Sequence, residues 1–116
     1  MLSLPGSVRV FVCLAPVDMR RSFDGLAAMA EHVLERDPLS GHLFVFVGRR
    51  RDRMKILYWD RDGYALWCKR LESGTFKLPV GDGRGAEISR ADLGLILEGI
   101  DPAQAKRSRR FVLARA

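Results

Sequence analysis

The sequence predicts an α+β fold: one mainly antiparallel sheet of about five strands, with an amphipathic helix after strand 1 and a short C-terminal helix. Three observations predict it. Apolar, β-branched runs alternate with turn residues, one segment has helical spacing of apolar residues, and the central hairpin is apolar on both sides. A sheet that is apolar on both sides needs two covers. The 116 residues are enough for one domain and too few for two.

Residue type and spacing predict the first strand and the first helix. Val8–Leu14 is rich in β-branched and aromatic residues, which is typical of a strand. Ser22–Arg36 has apolar residues at the spacing of one helix face. These residues are Phe23, Leu26, Ala27, Ala30, Val33 and Leu34. Ser22 is expected to cap the first turn, and Pro38 is expected to end the helix because it disfavours helical geometry in the residue before it.

Three apolar runs with short polar connections predict a meander of strands. The runs are His42–Val47, Met54–Trp59 and Tyr64–Arg70. The last two are joined by Asp60-Arg61-Asp62-Gly63, which contains the Asp-Gly pair of a tight hairpin. With a four-residue turn, Trp59 faces Tyr64 and Met54 faces Lys69. Leu57 and Leu66 then share one face, whereas Ile56 and Trp67 share the other.

The C-terminal third is predicted to be less regular. Thr75–Leu78 is predicted to be a short strand, followed by a flexible loop with the pattern G-x-G-x-G at Gly81–Gly85. This pattern does not lead from a strand into a helix, so a turn is favoured over a phosphate cradle. Ser89-Arg90-Ala91-Asp92 is a variant capping box that opens a short helix, and Gly99 is placed to end that helix.

The positive charge of the chain is concentrated locally. The formal net charge is +6, yet five of the 20 Lys and Arg and none of the 14 Asp and Glu lie at residues 103–116. We therefore predict one nearly neutral globular domain at residues 1–102 and a basic, flexible tail at residues 103–116. Clusters of charge, rather than the overall pI, carry information about partners.

Cysteine usage and hydropathy predict the cellular location. Cys13 and Cys68 lie in apolar runs without partner histidines, which favours buried free thiols in a reducing compartment over a metal site or a disulfide. The N-terminus does not fit a signal peptide, and no apolar run approaches membrane-spanning length. We expect a cytoplasmic protein that does not contact a membrane.

The loop between the first two strands of the meander is the strongest functional signal. It is expected to bring basic residues from two segments to one end of the sheet: Arg49, Arg50, Arg51, Arg53, Lys55, Lys69 and Arg70. Guanidinium forks bind phosphate oxygens bidentately, so the cluster predicts a nucleic-acid or other polyanion interface. The alternative is that these arginines only keep a hairpin loop soluble.

A second candidate, an anion pocket, lies where the first strand leads into the first helix. It comprises Arg20, Arg21, Ser22 and Gly25. Helix N-terminal amides attract anions, and a glycine in a first helical turn suggests close approach of another group. The structural alternative is a local contact between Asp18 and Arg20 together with tight packing at Gly25.

No catalytic constellation, metal site or cofactor site is predicted. His32 and His42 have no cysteine or carboxylate at a spacing typical of a nucleophile–base pair. Asp18, Asp24, Asp60 and Asp62 are candidates for a Mg²⁺ cluster, because carboxylates are its usual ligands. Hairpin turns and helix starts use aspartate for structural reasons, so those roles are favoured.

Five ordered segments resemble a known family. They are D-M-R-R-S-F-D-G-L (18–26), D-P-L-S-G-H-L-F-V-F (37–46), R-R-R-D-R-M-K-I-L-Y-W-D (49–60), L-W-C-K-R-L-E-S-G-T-F (66–76) and L-G-L-I-L-E-G-I-D (93–101). Together they resemble the small TnpB-type accessory protein encoded by the second reading frame (Orf2-like) of IS-sixty-six-class transposons. The resemblance implies a helper in transposition that acts beside a separate, larger transposase, and it implies no catalytic residues.

The resemblance and the basic cluster lead to one hypothesis and two alternatives. The hypothesis is a non-catalytic accessory protein for DNA transposition that binds transposon DNA, the transposase, or both. One alternative is a pure protein–protein adaptor for the transposase. The other is a small metal-independent nuclease that uses Lys69 and Arg70. In this hypothesis, part of one face of the sheet is covered either by the chain itself or by a partner, which can be another protein or a second copy of this chain.

Overall fold

The computed structural model describes residues 5–81 and 83–105 and contains one five-stranded sheet. The elements in chain order are β1 (Val10–Cys13), α1 (Phe23–His32), β2 (Leu43–Val47), β3 (Arg53–Asp60), β4 (Gly63–Arg70), β5 (Gly85–Ile88) and α2 (Arg90–Leu97). A single helical turn follows at residues 102–105. Of the predicted tail at residues 103–116, residues 106–116 lie outside the described residues, so the domain boundary and the flexible tail stay predictions.

The strand order across the sheet is β4-β3-β2-β1-β5. β1 and β2 are parallel, because α1 carries the chain back between them. The pairs β2–β3, β3–β4 and β1–β5 are antiparallel. The predicted mainly antiparallel sheet of about five strands is therefore confirmed, with one parallel pair in its interior.

The β3–β4 hairpin has the register that the sequence predicts. Met54 pairs with Lys69 and Trp59 with Tyr64, and the pairing continues without interruption to Asp60 and Gly63. The turn residue Arg61 has φ 55°, a left-handed conformation of the kind that tight hairpin turns require. This register therefore places Lys69 and Arg70 beside Arg53, at the end of the hairpin away from its turn.

The last strand does not lie where it was predicted. Residues 75–78 do not form a strand, and β5 is formed instead by the segment that follows the glycine-rich loop. Phe76 and Leu78 alternate like strand residues, but they pack on the core from an irregular segment. Gly85 pairs with Cys13 at the free edge of β1. A Cβ at Gly85 would lie 2.5 Å from Leu34 Cδ2 and 3.2 Å from the Val12 carbonyl oxygen, so a larger residue there requires the Leu34 side chain to move.

Helix α1 is shorter than predicted. It ends at His32 rather than Arg36, because the chain leaves the helix before Pro38 and Glu35 takes φ 55°. Ser22 occupies the N-cap position, but its side chain forms no capping hydrogen bond, so the predicted cap is wrong. Phe23 is 44% exposed, because it is the first residue of the helix, and the buried stripe begins at Leu26.

Helix α2 is defined by the predicted end signals. The Ser89 hydroxyl accepts a hydrogen bond from the Asp92 amide at 3.0 Å. Gly99 has φ 78°, and the amide of Ile100 returns to the carbonyl of Leu95 at 2.9 Å. These contacts satisfy backbone groups that a helix leaves unpaired at its two ends.

Each face of the sheet has its own apolar core. On one face, α1 covers a cluster that includes Phe44, Phe46 and Leu57. On the other face, α2 and Phe76 cover a cluster that includes Val45 and Ile56. The central strand β2 is buried along its whole length. The chain therefore supplies a cover for both faces.

The two cysteines differ in exposure. Cys13 is buried in β1, as predicted, whereas Cys68 is exposed. The prediction for Cys68 is wrong because β4 is an edge strand, so apolar neighbours do not enclose every side chain on it. Within the described residues, no helix is long and apolar enough to cross a membrane.

Candidate nucleic-acid interface

The loop between β2 and β3 has a defined backbone. The Gly48 amide donates to the Arg53 carbonyl at 3.1 Å, and the Arg51 amide donates to the Gly48 carbonyl at 2.9 Å. Gly48 is buried, and a Cβ there would lie 2.7 Å from Met19 Cγ. Arg51 takes φ 65°. The turn therefore closes tightly, and it leaves Arg49 and Arg50 exposed at its tip.

The segment that follows β4 is hydrogen-bonded to the backbone of this loop. The Leu71 amide donates to the Asp52 carbonyl at 2.8 Å, and the Phe76 amide donates to the Arg51 carbonyl at 2.7 Å. Phe76 is itself 2% exposed and packs in the core. The loop is thus tied to buried structure, which lowers the entropy that its arginines would lose on binding a ligand.

Four arginines of the loop have no ion-pair partner within residues 5–81 and 83–105. We call Arg49, Arg50, Arg51 and Arg53 the arginine surface. Arg49, Arg50 and Arg53 are exposed, and Arg51 is half-buried. In that part of the chain, their guanidinium groups form no hydrogen bond or salt bridge with another side chain or with the backbone. Their donors are available to an external anion.

The other three predicted residues lie at the same end of the sheet but have partners. Lys55 Nζ donates to the Arg21 carbonyl at 2.8 Å, just before α1. Lys69 Nζ donates to the Leu97 carbonyl at 2.8 Å, at the end of α2. Arg70 forms an ion pair with Glu72 at 3.0 Å. The sequence could not indicate these partners, because they depend on where the two helices lie.

Two clefts flank the arginine surface. A cleft of about 520 Å³ contains Arg53, Lys55, Lys69 and Arg70. A cleft of about 280 Å³ lies between the β1–α1 loop and the loop carrying Arg49 and Arg50. Met19 and Arg53 line both clefts. The two clefts are therefore neighbours, and their linings carry more basic side chains than acidic ones, which are Asp18, Asp52 and Glu72.

The predicted anion pocket lies beside this surface. Arg20 is held by Asp18 through contacts of 2.8 to 3.2 Å, which is the local contact that the structural alternative proposed. Hydrogen bonds from Arg20 lower the pKa of Asp18 to about 2. At Gly25, a Cβ would lie 3.3 Å from Arg21 Cβ, so the glycine makes room for the arginine side chain. Ser22 is exposed.

His42, Asp60 and Asp62 lie at the other end of the sheet from the arginine surface. His42 precedes β2, and its Nδ1 accepts a hydrogen bond from the Arg9 amide at 2.9 Å. His32 is exposed on α1. Over the described ranges, no three His, Cys, Asp or Glu side chains are placed to hold a metal ion.

The geometry defines a small mixed-sheet module with an arginine-rich loop, and comparison with known proteins assigns its family. The family model described as IS66 Orf2 like protein matches residues 8–107. The chain therefore belongs to the IS66 Orf2-like family, as the resemblance indicated, and this family is associated with transposition.

Two relatives come from Sinorhizobium fredii (strain NBRC 101917 / NGR234). Uncharacterized protein y4hO is 41% identical over 101 residues, which cover 87% of this chain and 88% of that protein. Uncharacterized protein y4jC is 38% identical over 100 residues, which cover 86% of each. No solved structure gives a significant match.

Proposed function

We propose that the protein is a non-catalytic accessory factor in DNA transposition that holds transposon DNA by its phosphate backbone through the arginine surface. The observation that carries the proposal is the group of four arginines without ion-pair partners in the described residues, displayed on a loop tied to the core. Guanidinium groups favour bidentate contacts with phosphate oxygens. Family membership supplies the biological context.

The same geometry favours backbone contacts over base recognition. Base edges in the major groove are usually reached by an inserted helix or a two-stranded ribbon. Here the arginines occupy a short, tight turn with its backbone bonded to residues 71–76. Phosphate contacts position a protein without reading sequence. We therefore expect binding to double-stranded DNA with little dependence on sequence.

A salt series tests the proposal. Contacts to about four phosphates give a slope of log Kobs against log salt of about −3.6. The variant with Arg49→Gln, Arg50→Gln and Arg53→Gln should flatten the slope to about −1, because about three counterion-releasing contacts are lost. Fluorescence anisotropy with a labelled duplex measures both slopes. Arg51 is left unchanged because its φ of 65° is part of the turn.

A second variant with the same net charge distinguishes DNA contacts at the arginine surface from a general effect of the net charge of the protein. Arg36→Gln, Lys77→Gln and Arg84→Gln remove the same three charges from exposed positions outside the arginine surface. This control should keep a slope within about one unit of the wild type. Equal slopes for the two triple variants would show that the arginine surface is not the contact.

The transposase encoded by the same element is the second proposed partner. Exposed arginines that bind phosphate also fit an acidic protein surface, so the two partners can compete for one site. A pull-down with the cognate transposase, with and without terminal transposon DNA, distinguishes them. Retention of the transposase together with no DNA binding at low salt would favour the adaptor function and exclude the DNA proposal.

A further inference from the structure

The outer side of β4 is an open edge of the sheet. β4 pairs with β3 on one side only, through eight consecutive residue pairs without a bulge. Within the described ranges, none of the backbone hydrogen bonds outside regular elements ends on residues 63–70. A long, regular edge strand exposes a row of unpaired amides and carbonyls that favours pairing with another strand.

The hydrogen-bond pattern indicates which backbone groups face outward. The Leu71 amide donates to the Asp52 carbonyl, and hydrogen-bonded pairs in an antiparallel ladder recur at every second residue. Lys69, Trp67 and Ala65 therefore bond to β3. The backbone groups that face outward belong to the alternating residues Tyr64, Leu66, Cys68 and Arg70.

The two edges of the sheet differ in their protection. The other edge strand, β5, has four residues, and its Glu87 forms an ion pair with Arg9 that places charge along the edge. β4 is twice as long, contains no proline, and has five consecutive uncharged residues at 64–68. In natural proteins, edge strands are commonly protected from pairing with another strand by short length, charged residues, proline or bulges. β5 has such protection, whereas the middle of β4 does not.

The charges at the two ends of β4 select its partner. The strand starts beside the turn Asp60-Arg61-Asp62, which carries one net negative charge, and it ends with Lys69 and Arg70, of which Arg70 already pairs with Glu72 in its own chain. An antiparallel second copy would place the basic end of each strand beside the acidic turn of the other. With the two-fold axis at Leu66, the outward-facing amides of one copy lie opposite the outward-facing carbonyls of the other. This arrangement is self-complementary and closes as a dimer.

We infer that β4 pairs with β4 of a second copy of this chain, antiparallel and about a two-fold axis near Leu66, so that the sheet continues through the dimer. Main-chain hydrogen bonds from alternate residues join the copies. Half-buried Trp67 and Leu66 approach the partner on opposite faces of the sheet. The contact does not involve Arg49, Arg50 or Arg53.

Mass measurement with a matched pair of variants tests the dimer. The Cys68 side chain is exposed and its amide faces outward, so Cys68→Pro removes an intermolecular donor without removing a bond to β3. Cys68→Ser keeps the amide and is the control. In light scattering after gel filtration, the wild type and Cys68→Ser should have twice the 13.1 kDa chain mass. Cys68→Pro, shown to be folded by circular dichroism, should have one chain mass at the same concentration.

Hydrogen exchange on the wild type gives a second test that needs no variant. In the dimer the amides of Tyr64, Leu66 and Cys68 are bonded and should exchange at least tenfold more slowly than the outward amides of Gly85 and Glu87 on β5. Equally fast exchange at both edges would overturn the inference. A monomeric wild type, or a folded Cys68→Pro variant that remains dimeric, would also overturn it. The arginine triple variant should remain dimeric, which separates this result from DNA binding.

Discussion

At the scale of single residues, the lysines of the basic cluster have structural partners. The Lys69 ammonium donates to a carbonyl at the C-terminal end of α2, where a helix carries partial negative charge. We expect Lys69→Met to keep the aliphatic packing and to lower the free energy of unfolding by about 1 to 2 kcal/mol. Urea denaturation measures this change.

Lys77→Met is the matched control for Lys69→Met. Lys77 is exposed, and within the described residues its Nζ bonds only to the Thr75 hydroxyl. Its replacement should change stability by less than about 0.5 kcal/mol. Equal effects at the two positions would contradict the role of Lys69 in holding α2. The salt slope of DNA binding, in turn, should depend less on Lys69 than on Arg49 or Arg50, because their donors are free of protein partners in the described residues.

The Asp18–Arg20 pair predicts a dependence of stability on pH. Arg20 lowers the pKa of Asp18 from 3.8 to about 2 in the folded protein. A carboxyl group with a lowered folded pKa stabilises the protein above its unfolded pKa, and this stabilisation is lost as pH falls from about 4 to 2. Carboxyl NMR titration should give a pKa near 2. Arg20→Gln should return the pKa towards 3.8, and an unchanged titration would contradict the contact.

At the scale of elements, two glycines of the α2 region should respond oppositely to alanine. Gly94 lies inside α2, and a Cβ there meets nothing within 4 Å. Gly94→Ala should stabilise the protein by about 0.5 to 1 kcal/mol, because alanine loses less backbone entropy in a helix. Gly99 has φ 78°, so Gly99→Ala should destabilise it by about 1 kcal/mol or more. Thermal unfolding of both variants checks the signs, and two changes of the same sign would refute this interpretation of α2.

The accuracy of the sequence predictions varies from element to element for physical reasons. The β3–β4 register was predictable because the short polar turn Asp60-Arg61-Asp62-Gly63 separates two apolar runs that pair across it, although the left-handed residue of the turn is Arg61 rather than Gly63. β5 was missed because Gly85–Ile88 is short and follows a glycine-rich loop, so its pairing is decided by the free edge of β1. The end of α1 was misplaced because Glu35 takes a left-handed conformation that is uncommon for a non-glycine residue.

At the scale of the whole molecule, the sequence indicated the end of the sheet where charge gathers, but it did not indicate which charges remain free. The paired register brings Lys69 and Arg70 beside Arg53. Contacts over long sequence separations then engage Lys55 and Lys69 with backbone carbonyls. Met19 could not be predicted as a wall of both clefts, because its place depends on the Val17 amide bonding to Val47 at 3.0 Å.

The two cores share the strands of one sheet, so we expect them to unfold together. Trp59 contacts Tyr64 on the α1 face, with 5.1 Å between ring centroids, and Trp67 packs on the α2 face. Trp59→Phe and Trp67→Phe therefore each leave one fluorescent reporter, on opposite faces. Because β2 is buried on both sides, loss of either core exposes apolar surface that belongs to the same strands.

In each variant, the fluorescence and circular dichroism transitions in urea should coincide at a fixed protein concentration. A fluorescence midpoint that precedes the circular dichroism midpoint in only one variant would show that this face opens alone. Unfolding of the α1 face and unfolding of the α2 face would then not be coupled through the sheet.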